Sequence, residues 1–424
     1  MNPSEPLAAI LVSKFTVDYR PDAPADNGGR PRLVRDLARH LRGLGYRVRI
    51  AQRGREDRLV RCAEGIEVQT TAVPLPAWGD LTFARRTRKL AEQADLCCYA
   101  SPEDGYPFYS PRSFAIQHGI WWDAPYPGWK RLVIQRWQRE RNLRMCAKAR
   151  AVVCVDSNFI NYLRLLGRRG HTAAGKCHYL PNYADCLRLP APTEEQIGKR
   201  FAGRSVLFLR RFEAPRGGRE FVEMCRILEA RGVRFKARMV GWGAEAQGIA
   251  SLIRQYGLAG GIELATAEMD SVRQVLEEAA ISVVPSVWSE GSSLTAIESL
   301  AMGVPVVTTD VGGLPNVIVP EFTGTVTRSH PEDLASSVES LLASEARYRA
   351  IARNCLLMRP VFSLERWVER LSQILADARL IGADAATSRQ RPAVGAVFSA
   401  LGGSHFPPAS AISDAGRPAN LWSI

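Results

Sequence analysis

Two glutamates, Glu290 and Glu298, bracket a Gly-Ser-Ser turn and a short apolar segment in "VPSVWSEGSSLTAIESLAMGVPVVTT", which runs from Val284 to Thr309. Ser292 or Ser293 is placed to cap a helix running to Gly303, with Pro285 closing the strand before it and Pro305 opening the next. Amides at such a helix start favour an anion. A carboxylate beside an anion site must serve some other group, and sugar hydroxyls are suitable donors to Glu290. Glu298, one or two turns deeper, could accept the paired hydroxyls of a ribose. Helix capping or an ion pair would equally account for either glutamate, and this stretch alone leaves both readings open.

The elements that position this segment are apolar runs alternating with amphipathic ones. In the first half the strand candidates are "AAILVS", "RVRIAQ", "DLCCYA", "FAIQHG", "AVVCVDS" and "CHYLPN". Between the first two, "RPRLVRDLARHLRGLG" sets Leu33, Val34, Leu37, Ala38, Leu41 and Leu44 at helical spacing with arginines opposite. The second half repeats the pattern with "SVLFLR", "FKARMVG", "ISVVPS" and "VPVVTT", separated by helices such as "REFVEMCRILEARG". Alternation of this kind predicts an α/β protein with two helix-covered parallel sheets, whose ligands lie beyond the strand C-terminal ends. Gly28 and Gly29 fall in the loop between the first strand and first helix, where glycine lets backbone approach a ligand closely; a tight turn would use them equally.

Bulk properties narrow the classes. A chain of 424 residues that is 46% hydrophobic can bury a large core in about two domains. No apolar run approaches the roughly 20 residues that span a bilayer, and "MNPSEPLAAILVSKF" has no basic leader region, so a cytoplasmic protein is expected. The nine cysteines are scattered without Cys-x-x-Cys spacing and read as reduced, mostly core thiols. The net charge of +13 lies entirely in the first half: residues 1 to 190 carry 31 Lys+Arg against 18 Asp+Glu, leaving 25 of each for the rest. Nucleic acid, an anionic membrane face, a phosphorylated substrate or a merely solvated surface all suit such a half.

The Glu-x7-Glu element followed by "SLAMGVPVVTTDVGGLPNVI" resembles the donor-site signature of glycosyltransferase family 4, retaining enzymes of GT-B fold. The resemblance extends from about Ala8 to Ala376. "FLRRFEAPRGG" is similar to the family's Gly-Arg-Leu…Lys-Gly segment and sets Arg211 and Arg216 at its phosphate-binding pair. "MVGWGAE" resembles the Val-Gly-x-Gly-x-Glu turn, bringing in Gly241 and Gly243, and "LPNYADCL" resembles the Pro-Asn-Gly-Val-Asp element. "VVCVDSNF" is similar to the strand and turn before that element, "DNGGRPRLVRDLARHLRGLGYRV" to the family's glycine loop and first helix, and His118 in "IQHG" to its active-site histidine. There are departures. Gly291-Ser292-Ser293 follows Glu290 where Gly-Phe-Gly is common, Arg210 replaces a glycine, Arg216 replaces a lysine, and Tyr183 stands where glycine is usual. Arginine keeps the charge and adds a planar fork suited to phosphate.

What the resemblance implies is two Rossmann-like domains with parallel sheets facing a central cleft, and hexosyl transfer from a UDP- or GDP-linked sugar with retention of configuration. The departing diphosphate is then steadied by Arg211, Arg216 and the helix start at Ser293 and Leu294, with no metal or other cofactor. Glu290 holds the donor sugar, Glu298 the ribose, and His118 gives a hydrogen bond near the reacting carbon. No Asp-x-Asp cluster is suitably placed for a cation. The expected domains are 1–188 on the acceptor side, 189–360 for the nucleotide sugar, a helix at 361–380 packing back on the first domain, and a disordered tail at 381–424.

The acceptor is expected to be a glycan or lipid-linked glycan, in surface polysaccharide or glycolipid assembly. "WKRLVIQRWQRERNLRMCAKARA" follows "WWDAPYPGW" and sets Lys130, Arg131, Arg136, Arg139, Arg141, Arg144, Lys148 and Arg150 around the single acid Glu140. Basic residues interleaved with tryptophan predict peripheral contact with an anionic membrane through residues 129–150, at the inner face of the plasma membrane; a solvated helix exterior is the alternative. "NGGRPR" is not the Gly-x-Gly-x-x-Gly of a dinucleotide oxidoreductase, and no RNA-binding module is present, so nucleic acid is not an expected partner. A nucleotide-sugar epimerase and a catalytically silent transferase-like protein share the architecture.

Overall fold

Leu7–Val12 is buried at every position, as a strand covered on both faces must be. The computed structural model describes residues 5–13, 29–54, 56–62, 64–73, 79–184, 190–266, 272–288 and 290–384. Gly28, residues 185–189 at the expected domain boundary and the tail from residue 385 lie outside the described residues.

The first sheet contains β1 (Leu7–Val12), β2 (Arg47–Gly54), β3 (Arg58–Arg61), β4 (Glu67–Ala72), β5 (Leu96–Tyr99), β6 (Ser113–Gln117), β7 (Ala151–Cys154) and β8 (Cys177–Tyr179), in spatial order β3-β4-β2-β1-β5-β6-β7-β8. The second contains β9 (Ser205–Leu209), β10 (Lys236–Val240), β11 (Ile262–Ala265), β12 (Ile281–Val284), β13 (Val306–Thr309) and β14 (Gly324–Thr327), ordered β11-β10-β9-β12-β13-β14. All neighbours run parallel apart from β3 and β4, which form an antiparallel hairpin. Its outer strand is short, arginine-flanked and mostly exposed, which suits a sheet edge. In both sheets strand order reverses, between β1 and β5 and between β9 and β12, leaving a crevice beyond the strand ends at each switch point.

Helices α1 (Gly29–Gly43), α2 (Gly79–Gln93), α3 (Gly128–Lys148), α4 (Asn158–Arg164) and α5 (Gly167–Ala174) accompany the first sheet. With the second come α6 (Glu194–Gly203), α7 (Gly218–Ala230), α8 (Ala246–Gln255), α9 (Val272–Glu278), α10 (Leu294–Ala301), α11 (Pro331–Ala343) and α12 (Glu345–Leu357). Helix α1 buries Leu33, Val34, Leu37, Ala38 and Leu41 against the first sheet, each contributing on the order of 1.5–3 kcal/mol for the larger side chains. The last helix, α13 (Leu364–Asp377), inserts Trp367, Leu371, Ile374 and Leu375 into that same core, although the chain has by then traversed the second sheet. His40 of α1 meets Ser372 of α13 at 2.8 Å. The two sheets thus belong to one compact unit, tied by a returning helix.

Candidate active site

At the switch point of the second sheet the chain leaves β9 through Arg210. Its amide continues the ladder by donating to the Val240 carbonyl at 3.0 Å, and Phe212 donates to Trp242 at 2.8 Å. Alternate residues of an extended segment face opposite ways, so Arg210 turns into the crevice while Arg211 turns outward. Gly241 and Gly243 make this approach possible: a Cβ on either would fall 1.9 Å from the Arg210 carbonyl oxygen or 2.3 Å from that of Phe212. These two glycines support the arginine segment from behind.

Three donors converge on Glu290 Oε2. They are Arg210 Nη2, Arg216 Nη1 at 2.7 Å and the Ser286 hydroxyl at 2.8 Å. Arg210 Nη1 also donates to Ser286 Oγ at 2.6 Å, so the four side chains interlock. Burial pushes the Glu290 carboxyl upward, but the guanidiniums of Arg210 and Arg216 outweigh it and hold the group at about 2. The Glu290 backbone is clamped by Gly313, whose amide donates to its carbonyl at 3.1 Å, and by Gly312, whose φ of +60° lets the chain pass against that oxygen. Arg211 stands apart from this cluster: its side chain is 52% exposed and pairs with Glu213 at 2.9 Å.

Helix α10 begins at the mouth of the same crevice. Ser293 is its cap, accepting from the Ala296 amide at 3.4 Å, while the first-turn amides of Leu294 and Thr295 have no partner within the helix by geometry. Ser292 faces the other lobe, where Asn182 donates its amide to Ser292 Oγ at 2.9 Å and its side chain to the Ser292 carbonyl at 2.8 Å. Glu298, one turn along α10, takes Arg32 Nη1 of α1 at 3.0 Å, and Arg32 Nη2 reaches the Tyr183 carbonyl at 3.0 Å. Tyr183 occupies its glycine-like position without strain, being absent from the left-handed residues among those described. Its hydroxyl donates to Asp36 at 2.6 Å and its ring lies 5.0 Å from Trp367.

The first lobe presents His118 to this region. His118 Nε2 lies 2.7 Å from the Ala100 carbonyl, which can only accept, so the proton sits on Nε2 and Nδ1 is left as an acceptor. Burial, reinforced by the Arg30 charge, pushes the imidazole down to about 4 and keeps it neutral. Next to it Gly119, at φ +104°, meets Gly291 of the other lobe; a Cβ on Gly291 would stand 2.9 Å from both the His118 carbonyl oxygen and Val155. Gly29 likewise abuts Leu294, where a Cβ would fall 2.4 Å from Cδ1. Gly29 and Gly291 therefore serve first as contact points between lobes.

Sequence reasoning overlooked three members of this region. In the sequence Arg210 only stands where a glycine is usual, yet it is the buried partner of Glu290. Asp156 sits against Gly119 and Gly313 with Oδ2 unbonded; burial raises its carboxyl to about 6 although Phe159 and Asn158 amides oppose the shift. Asn316 accepts from the Ser157 amide at 3.0 Å and hydroxyl at 3.1 Å, closing the seam beside it. Each depends on a partner far away in sequence, which no local pattern reveals. Among the described residues no group of three or more His, Cys, Asp or Glu is arranged to share a metal ion.

The basic segment also differs from expectation. Arg141 is not on the surface: it is 1% exposed, pairs with Glu103 at 2.8 Å and stacks over Trp137 at 4.6 Å. The first turns of α3 do project, with Trp129, Leu132, Val133 and Trp137 exposed beside Lys130, Arg131 and Arg136. No described helix is long and apolar enough to cross a membrane.

Comparison with known proteins agrees with this architecture. Residues 27–186 match the Glycosyltransferase Family 4 model and residues 193–355 match Glycosyl transferases group 1. A segment of 148 residues is 29% identical to WcaL of Salmonella typhimurium, named for colanic acid biosynthesis, covering 34% of this chain and 36% of that one. Another of 115 residues is 35% identical to a D-inositol 3-phosphate glycosyltransferase of Segniliparus rotundus, covering 27% and 25%. The matches thus span about a third or less of those relatives' length. Among solved structures, HepE of Anabaena with UDP-glucose superposes with a TM-score of 0.67 at 14% identity, over 88% of this chain and 100% of that one. Sucrose-phosphate synthase of Thermosynechococcus elongatus gives 0.70 at 20% identity, over 88% and 98%. The fold is GT-B, and the chain belongs to the family 4 glycosyltransferases of group 1.

Proposed function

We propose that this glycosyltransferase moves a hexosyl unit from a UDP- or GDP-linked sugar to a glycan or lipid-linked glycan, with retention of anomeric configuration. The observation that carries this reading is the convergence of Arg210, Arg216 and Ser286 on one oxygen of Glu290 at a sheet switch point, beside the amino end of α10. Oε2 is saturated by those donors, and Oε1, which takes none of them, is the atom that accepts from a donor-sugar hydroxyl. Arg210 orients the carboxylate. In this reading Arg216, with its side chain 22% exposed, and Arg211, 52% exposed, meet the diphosphate, assisted by the amides of Leu294 and Thr295. No metal is needed in this reading, because two cations and a helix start neutralise the leaving group.

Glu298 accepts the ribose hydroxyls beside its Arg32 pair. His118, neutral, accepts at Nδ1 from a hydroxyl of the transferred sugar. The acceptor hydroxyl then attacks the face from which the diphosphate departs, and a phosphate oxygen takes its proton. The UDP-glucose in the HepE structure and the colanic acid role in WcaL's name favour a nucleotide sugar and polysaccharide assembly. The exposed tryptophans and arginines of early α3 would hold the enzyme at an anionic membrane face, where a lipid-linked acceptor lies. Thermal-shift screening against UDP, GDP and their sugar conjugates tests the donor class: one series should raise the melting temperature, and no response to any of them would reject the reading.

A further inference from the structure

The first sheet carries a carboxylate held in the same manner as Glu290. Beyond β5 the chain makes a single 3-10 turn, Pro102–Gly105. Asp104 in that turn accepts the Ser13 amide at 2.7 Å, which ties the turn to the end of β1 and carries it across the switch point between β1 and β5. Glu103 stands in the same turn. Arg141 Nη2 reaches Glu103 Oε1 at 2.8 Å, and the Ser101 hydroxyl donates to Oε2. Each lobe thus fixes one carboxylate at its switch point with a buried arginine and a nearby serine: Arg210 and Ser286 for Glu290, Arg141 and Ser101 for Glu103.

The burial of Arg141 calls for a reason. Its ion pair is with Glu103, while among the described residues its Nε and Nη1 have no partner, and so sparsely satisfied a buried guanidinium is a poor source of stability. It does hold a carboxylate still. Burial pushes the Glu103 carboxyl up, but the Arg141 charge and then the Ser101 hydroxyl outweigh it and keep the group ionised, below its ordinary value. With 21% of its side chain exposed and lone pairs beyond those donors, Glu103 can accept a further hydrogen bond from outside. His118 meets the same strand end, its Nε2 lying 2.7 Å from the carbonyl of Ala100, three residues before Glu103. Gly119 follows His118 and touches Gly291, the neighbour of Glu290.

Resting on the transferase reading above, we propose that Glu103 seats the acceptor, taking hydrogen bonds from hydroxyls of its terminal sugar, a neutral hexosyl ring, and that Arg141 is the positioning residue behind it. Neutrality follows from the sign of the charge, since a carboxylate accepts from hydroxyls and repels a uronate or a sugar phosphate. Glu290 then serves the donor sugar and Glu103 the acceptor sugar. Ligands of open parallel sheets lie beyond the strand ends, and each switch point supplies one carboxylate there. Arg141 also lies on α3, so the helix whose first turns carry the exposed tryptophans fixes the acceptor seat with its later ones.

The test is steady-state transfer by the full-length protein from the nucleotide sugar that most raises its melting temperature to p-nitrophenyl hexosides of glucose, galactose, mannose and N-acetylglucosamine. Glu103→Gln should lower kcat/KM for the hexoside about 10- to 100-fold. Donor KM and the nucleotide-induced rise in melting temperature should stay within about twofold, whereas loss of a merely structural ion pair would move donor and acceptor parameters together. Ser101→Ala keeps the Arg141 pair, covers the case in which Glu103→Gln does not fold, and should raise the hexoside KM about three- to tenfold. Hexoside kinetics within about twofold of wild type in the folded variants would overturn the assignment, as would a wild type that responds to donor yet transfers to none of these hexosides. A wild type that responds to no nucleotide sugar would overturn the transferase reading itself, and the role of Glu103 with it.

Discussion

Nη1 of Arg216 lies 2.7 Å from Oε2 of Glu290, joining residues 74 positions apart across the switch point of the second sheet. Arg210 shares that oxygen from the other side and is almost fully buried, with 6% of its side chain exposed. Removing a buried partner strands the remaining charge, at about 3–5 kcal/mol. Arg210→Ala should therefore lower the melting temperature by several degrees as well as abolish most transfer, measured by thermal unfolding alongside a donor-consumption assay.

Arg211 and Arg216 should separate stability from activity. Each charge-assisted hydrogen bond to a diphosphate is worth about 1.5–3 kcal/mol, so Arg211→Ala and Arg216→Ala should each slow turnover roughly 10- to 100-fold. Arg211→Ala should do so with little change in melting temperature, because its pair with Glu213 is solvent-exposed. If both variants keep transfer within about twofold, the phosphate assignment is wrong.

Acid and base should act on stability with opposite signs at different residues. His118, held near 4, and Glu290, held near 2, both have folded values below their ordinary ones of 6.5 and 4.5. The stability they contribute is present above those ordinary values and is lost as the pH falls toward the folded ones. Asp156 runs the other way, since its folded value near 6 exceeds 3.8, and it costs stability as the pH rises through 6. Asp156→Asn should stabilise the protein at pH 8 by up to about 3 kcal/mol and by much less at pH 4, measured by urea unfolding. Equal effects at both pH values would contradict the assignment.

The Arg32–Glu298 pair links the two lobes at 3.0 Å, with side chains 26% and 20% exposed. Glu298→Gln keeps the shape and weakens the ion pair. Its expected effect is a rise in donor KM of about five- to twentyfold with a smaller change in kcat, as for loss of a binding interaction common to ground and transition states. A double-mutant cycle with Arg32→Ala should show coupling on the order of 1 kcal/mol. Strict additivity would mean that the lobe contact is energetically idle.

Projecting apolar residues on early α3 predict vesicle binding. Trp129, Leu132 and Val133 are 69%, 70% and 61% exposed. Flotation with anionic vesicles at low salt should recover the protein, and serine at all three positions should abolish recovery without altering transfer to a soluble acceptor. Unchanged flotation of that variant would remove the membrane contact from α3.

Helix α1, the strand runs and the cap at Ser293 could be read from residue spacing, because periodicity and turn chemistry are local properties that each segment carries with it. The glutamates and Arg216 could be recognised as a motif for the same reason. Arg210, Asp156, Asn316 and Arg141 could not. Whether an arginine points into a crevice or into water depends on which distant carboxylate lies opposite, and strand order, absent from any local pattern, decides that. The return of α13 to the first core is a further product of chain path. Residue order prescribed the elements and the charges available; three-dimensional packing chose which of those charges face one another.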